Sequence, residues 1–220
     1  MRALARIFKD PISGLTHLAS ALAAVGGLIA LWFLSPAEGQ TRPSAVVYGF
    51  SLVLLFSASA AYHLIKTSPG RELWLRRLDH TAIFLLIAGT YTPVCISVLT
   101  GAWRWGLLIT VWTLAVVGII FKLFFIKAPR WISVALYVGM GWLGVVGVTQ
   151  LWQALPGAAL AWLLAGGLLY TGGAVVYGFK WPNFAPGVFG FHELWHLFVT
   201  AASVAHYIFI AAYIVPLGVR

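Results

Sequence analysis

Charge is what this chain of 220 residues has least of: Asp, Glu, Lys and Arg together make up 9% of it. A soluble domain of similar length carries about a quarter, so a water-facing surface is excluded. Acidic residues are scarcest, five against fourteen Lys and Arg, for a net charge of +9. Elsewhere such an excess would suggest nucleic acid. Here no basic stripe with interleaved aromatics runs along the chain, and no nucleic-acid partner is expected. Cysteine is almost absent. Cys95 stands alone in an apolar run, which excludes a disulfide framework and a thiolate metal cluster. The strict apolar–polar alternation of a membrane β-barrel strand is missing too.

What the chain has instead is apolar length. Hydrophobic residues make up 61% of it, gathered into seven runs at about 15–35, 44–65, 80–99, 103–121, 131–151, 158–179 and 190–216. A run of about twenty crosses a hydrocarbon core of about 30 Å, and only helices satisfy the backbone there. The fold class expected is an all-α membrane protein, a seven-transmembrane-helix bundle forming one domain over residues 1–220. The connecting stretches, such as SPAEGQTRPS, KTSPGRELWLRRLD and KWPNFAPGVFG, hold most of the prolines and charges. The opening MRALARIFKDPISGLTHLASALAA superficially resembles a signal peptide. Its apolar run is too long for one and reads as a retained first span, with Asp10 as N-cap and Pro11 at the first helical position.

Sidedness follows from the basic residues. With the N-terminus inside, eleven of the fourteen fall on the cytoplasmic side, and only Arg42, Arg104 and Arg220 outside. The positive-inside rule then predicts a cytoplasmic N-terminus, an external C-terminus and a multi-pass protein of the cell (plasma or inner) membrane.

That orientation sets the depth of the ionisable residues. His63 falls near the cytoplasmic end of the second run, Asp79 and His80 at the entrance of the third, and His192, Glu193 and His196 in the first turns of the seventh. Ionisable groups in spans cost about 3 kcal/mol on insertion scales and point to function by default. His192 and His196 are one turn apart, rotated by about 40° and displaced by about 6 Å, so both rings can reach one ion. A catalytic zinc takes three protein ligands and keeps a fourth position open. His63 supplies the natural third, Asp79 a neighbouring base or ligand, and Ser59, one turn before His63, a hydroxyl beside them.

Blander readings stand beside these. Asp79 can be an N-cap or pair with Arg76 or Arg77, and Ser59 can bond its own helix. His17 can line the same cavity but reads first as packing, and His80 should point about 100° away from Asp79. His206, about 15 Å further along its helix than His196, reads as an interhelical hydrogen-bonding residue.

The stretches SASAAYH (57–63), RRLDHTAIFLLIAGTYTP (76–93) and FHELWHLFVTAASVAHY (191–207) together resemble the progestin and adipoQ receptor family, in its bacterial haemolysin III branch. SGLTHLASALAA (13–24) is similar to that branch as well. The resemblance implies a seven-helix bundle with Zn2+ near the cytoplasmic face, held by His63, His192 and His196. It also implies that Asp79 contacts the water at the metal, with Ser59 nearby. The wider superfamily includes alkaline ceramidases and its bacterial members carry the haemolysin name, so membrane lipids are the expected partners, while the resemblance by itself fixes no substrate.

Three functions compete. One is zinc-dependent hydrolysis of a lipid inside the bilayer. Another is a non-enzymatic zinc-binding regulator of membrane state or a pore-former, although the outer halves of the spans carry little polarity for a conduction path. The third takes HELWH (192–196) literally as the H-E-x-x-H of a metalloprotease. It leaves His63 without a role, and on the preferred reading Glu193 is an incidental neighbour.

Overall fold

The computed structural model describes residues 2–219, so Arg220, counted above on the outer side, lies outside the described residues. A short helix, Arg2–Ile7, precedes seven helical segments long and apolar enough to cross a membrane. These are span 1 (Pro11–Leu34), span 2 (Thr41–Leu64), span 3 (Pro69–Ser97), span 4 (Gly101–Phe124), span 5 (Arg130–Ala154), span 6 (Gly157–Phe179) and span 7 (Phe191–Gly218). The described residues form no β-strand; a lone bridge joins Ala185 to Phe189 in the loop before span 7.

Span 3 departs most from expectation. It begins at Pro69, behind an extended Ser68, so Asp79 and His80 lie about three turns inside the helix rather than at its entrance. The reason is local. Arg71, Glu72, Arg76 and Arg77 end the apolar run, yet Arg, Glu and Leu are good helix formers, and Pro69 suits the first helical position. The helix therefore continues beyond its apolar part.

Two other spans are irregular. Span 5 is α-helical over Arg130–Gly141, tightens to a 3-10 helix over Trp142–Gly147 and resumes over Val148–Ala154. The Tyr91 hydroxyl sits in that break, donating to the Gly141 carbonyl at 2.6 Å and accepting from the Gly144 amide at 2.7 Å. A side chain inserted into the hydrogen-bond ladder is a recognised cause of such breaks. Span 7 passes from α-helix at Phe209 to a π-turn over Ile210–Ile214 and a 3-10 turn over Val215–Val219. Pro216 lies in that last turn and has no amide to continue the α-helical ladder.

Spans 2, 3 and 7 are the most buried. Span 1 packs on spans 2 and 7, span 3 on spans 2 and 4, and span 6 on span 7. Tyr48, Phe84, Val111, Phe209 and Ile210 fill the shared core. Lipid supplies no hydrophobic drive between helices, so close approach relies on small residues. A Cβ at Gly49 would come within 2.8 Å of Leu28 and one at Gly27 within 2.9 Å of Tyr207. Gly118 lies flat against Phe84, and Gly166 against His206.

Candidate metal centre

The last turn of span 2 carries His63, and the first two turns of span 7 carry His192 and His196. The i, i+4 spacing puts the latter pair on one helix face. His196 Nε2 lies 3.2 Å from His192 Nε2, which lies 3.4 Å from His63 Nε2. All three rings present a nitrogen within 4.8 Å of the other two. A tetrahedral ion with nitrogen ligands at about 2.0–2.1 Å sets them about 3.3 Å apart. The two Nε2 spacings match that edge, and three imidazoles suit a first-row metal ion. His63 and His196 are each 2% exposed, so a cation held there would be well shielded from water.

Asp10 is the residue the sequence reading missed. Its side chain makes no N-cap hydrogen bond to span 1. Instead its Oδ2 accepts from His63 Nδ1 at 3.0 Å. That bond, aided by the charge on Lys9, holds the Asp10 carboxyl below the usual carboxylate range against the opposing effect of burial. A signal was available: span 1 begins on the membrane side where span 2 ends, so Asp10 shares the depth of His63.

Asp79 lies outside the histidine trio but on the wall of the same cavity, with Ser59. Ser59 and Asp79 are both buried, Ser59 at 2% exposure. Asp79 is neither an N-cap nor, among the described residues, an ion-pair partner of Arg76 or Arg77. His80 does not turn away as its spacing suggests: its Nδ1 is 3.3 Å from Asp79 Oδ2, though not aligned as a hydrogen bond. Rotamer freedom brings the ring back along the helix, which a Cα projection cannot show.

The remaining polar residues separate by role. His17 packs its ring 3.9 Å from that of His196 and reaches the His196 carbonyl at 3.4 Å. Glu193 caps span 7, accepting from the Gly190 amide at 2.8 Å and from the Ser13 hydroxyl at 3.4 Å. It therefore has a structural task, where the sequence offered only an incidental one. His206 bonds the Leu163 carbonyl at 3.2 Å, as an interhelical histidine should.

From the histidines a cavity of about 400 Å³ runs between spans 3, 5, 6 and 7. His17, Ser59, Asp79, His192 and His196 line its polar end, and residues such as Leu86, Val94, Val148, Leu151 and Leu160 its apolar remainder. The site can thus offer a metal ion and a carboxylate to a molecule whose greater part is hydrocarbon.

The Haemolysin-III related family profile matches residues 5–207. The chain is 38% identical to Hemolysin-3 of Bacillus cereus over 219 residues, covering 98% of this chain and 97% of the relative. It is 35% identical to the Hemolysin-3 homolog of Bacillus subtilis (strain 168) over 211 residues, covering 95% and 96%. Similarity extends to the Adiponectin receptor protein of Drosophila melanogaster, 27% identical over 87% of this chain and 48% of the receptor.

Proposed function

The chain belongs to the Haemolysin-III related family, within the progestin and adipoQ receptor group, and on that premise we propose that it is a zinc-dependent hydrolase of a lipid amide or ester. The observation that carries this reading is that two of the clustered histidines, His192 and His196, line a largely apolar cavity. Its volume of about 400 Å³ falls in the range of small-molecule sites, about 300–1,000 Å³. With the sidedness expected from the basic residues, the centre faces the cytoplasm.

When bound, zinc supplies Lewis acidity to a carbonyl and lowers the pKa of water to about 7. The chain's own residues do the rest. His63, His192 and His196 would hold the ion through their ring nitrogens, and three protein ligands are the number a catalytic zinc takes. Asp79, on the cavity wall, takes the proton from the attacking water. Ser59, on the same cavity wall, offers a hydroxyl to the Asp79 carboxylate or to the substrate. The apolar wall holds the acyl chain and keeps bulk water from the reacting carbonyl.

The test is release of fatty acid by purified, zinc-loaded protein from a panel of lipid amides and esters. Turnover that His196→Ala abolishes supports the reading; a panel without zinc-dependent turnover rejects it. A pore is less favoured because the cavity beyond its polar end is lined mainly by hydrocarbon. Dose-dependent leakage of dye from liposomes lacking any lipid substrate would favour it instead.

A further inference from the structure

His63 is the one member of the trio that comes from a different helix, so its ring needs an independent hold. Its Nδ1 is 3.0 Å from Asp10 Oδ2. The ionised carboxylate can only accept, so Nδ1 carries the proton and the Nε2 lone pair is left facing His192. Asp10 is in turn fixed at both ends. Its amide donates to the His63 carbonyl at 2.8 Å, and the Lys9 amide to the Leu64 carbonyl at 3.4 Å, pairing two carbonyls that the end of span 2 leaves free. Lys9 Nζ lies 3.9 Å from the Asp10 carboxylate, donates to Glu72 at 3.2 Å and sits 3.4 Å above the Tyr62 ring. An aspartate at an N-cap position ordinarily bonds the first helical amides, worth about 1 kcal/mol. Asp10 forgoes that bond. By contrast, His196 Nδ1 has no partner.

We infer that Asp10 is a positioning residue of the metal centre, setting the tautomer and orientation of His63, and that the segment before span 1 is thereby part of the site. The inference rests on the metal-centre reading of the three histidines. Carboxylate–histidine–metal pairs act this way elsewhere, and removing the carboxylate costs about 10–100-fold in metal affinity.

The full chain is purified in detergent, stripped of metal and titrated with Zn2+ against a chromophoric chelator at neutral pH. Wild type, Asp10→Ala, Asp10→Asn and Asp10→Glu are compared, and the melting of each metal-free form is recorded. Wild type should bind one equivalent. Asp10→Ala should bind about 10–100-fold more weakly, with Asp10→Glu recovering part of the loss. Asp10→Asn keeps the shape and the backbone clamp, so its affinity should fall while its metal-free melting matches wild type. If Asp10→Ala does not fold, Asp10→Asn decides. Wild-type affinity in Asp10→Asn and Asp10→Ala overturns the inference and leaves the metal centre standing. A wild type that binds no zinc overturns the centre itself.

Discussion

A methyl group added at Gly166 probes how span 6 and span 7 meet. The added Cβ would overlap the Cδ2–Nε2 edge of His206. That ring cannot simply swing aside, because its Nε2 bonds the Leu163 carbonyl at 3.2 Å and Tyr170 stands 5.5 Å away, centroid to centroid. Overpacking costs about 1–3 kcal/mol, and breaking the His206 bond adds about 1 kcal/mol. Replacing helical glycine by alanine returns about 1 kcal/mol of propensity. The net cost of Gly166→Ala is therefore about 1–3 kcal/mol. Gly167, its neighbour, has open space where a Cβ would stand, so Gly167→Ala should gain about 0.5–1 kcal/mol. At about 2–4 °C per kcal/mol for a chain of this size, the two variants should melt on the order of 5–10 °C apart. Cys95, the one cysteine, is fully buried, so a thiol-reactive fluorogenic dye reports unfolding in detergent directly. If Gly166→Ala melts at or above Gly167→Ala, the close packing of Gly166 on His206 is wrong.

Tyr91→Phe removes both hydrogen bonds at the break in span 5 and should lower stability by about 2 kcal/mol; an unchanged melting point would mean the break is held by other contacts. Glu193→Ala deletes the cap of span 7 and should cost about 1 kcal/mol, with bound metal unaltered. Cleavage of a single-span reporter that Glu193→Gln abolishes would revive the protease reading, in which that glutamate is the general base. Asp79→Asn should keep its metal and lose about 10²–10⁴-fold in turnover of whichever lipid the wild type cleaves, and undiminished hydrolysis would remove Asp79 from the chemistry.

The spans were legible because bilayer thickness imposes a length and hydrocarbon imposes a composition, and both are local properties of sequence. The histidine trio was legible for a related reason. Membrane topology converts chain position into depth, so His63, 129 residues before His192, could be placed beside it. What escaped detection depends on side-chain direction or on competition between local options. Asp10 does stand at the N-cap position before Pro11, as Asp-Pro before an apolar helix suggests, but nothing in the dipeptide says that the carboxylate is taken by another helix. The true start of span 3 was hidden because charged residues end an apolar run without ending a helix. The break in span 5 depends on Tyr91, more than fifty residues earlier in the chain than Gly144, and glycines alone do not announce it.

Metal content tests the central claim most directly. Purified wild type, measured by elemental analysis after exhaustive dialysis, should carry one zinc per chain, and His63→Ala, His192→Ala and His196→Ala should each lose it while the other metal-free properties persist. A wild type without stoichiometric metal, or a His63→Ala variant that keeps it, would contradict the account.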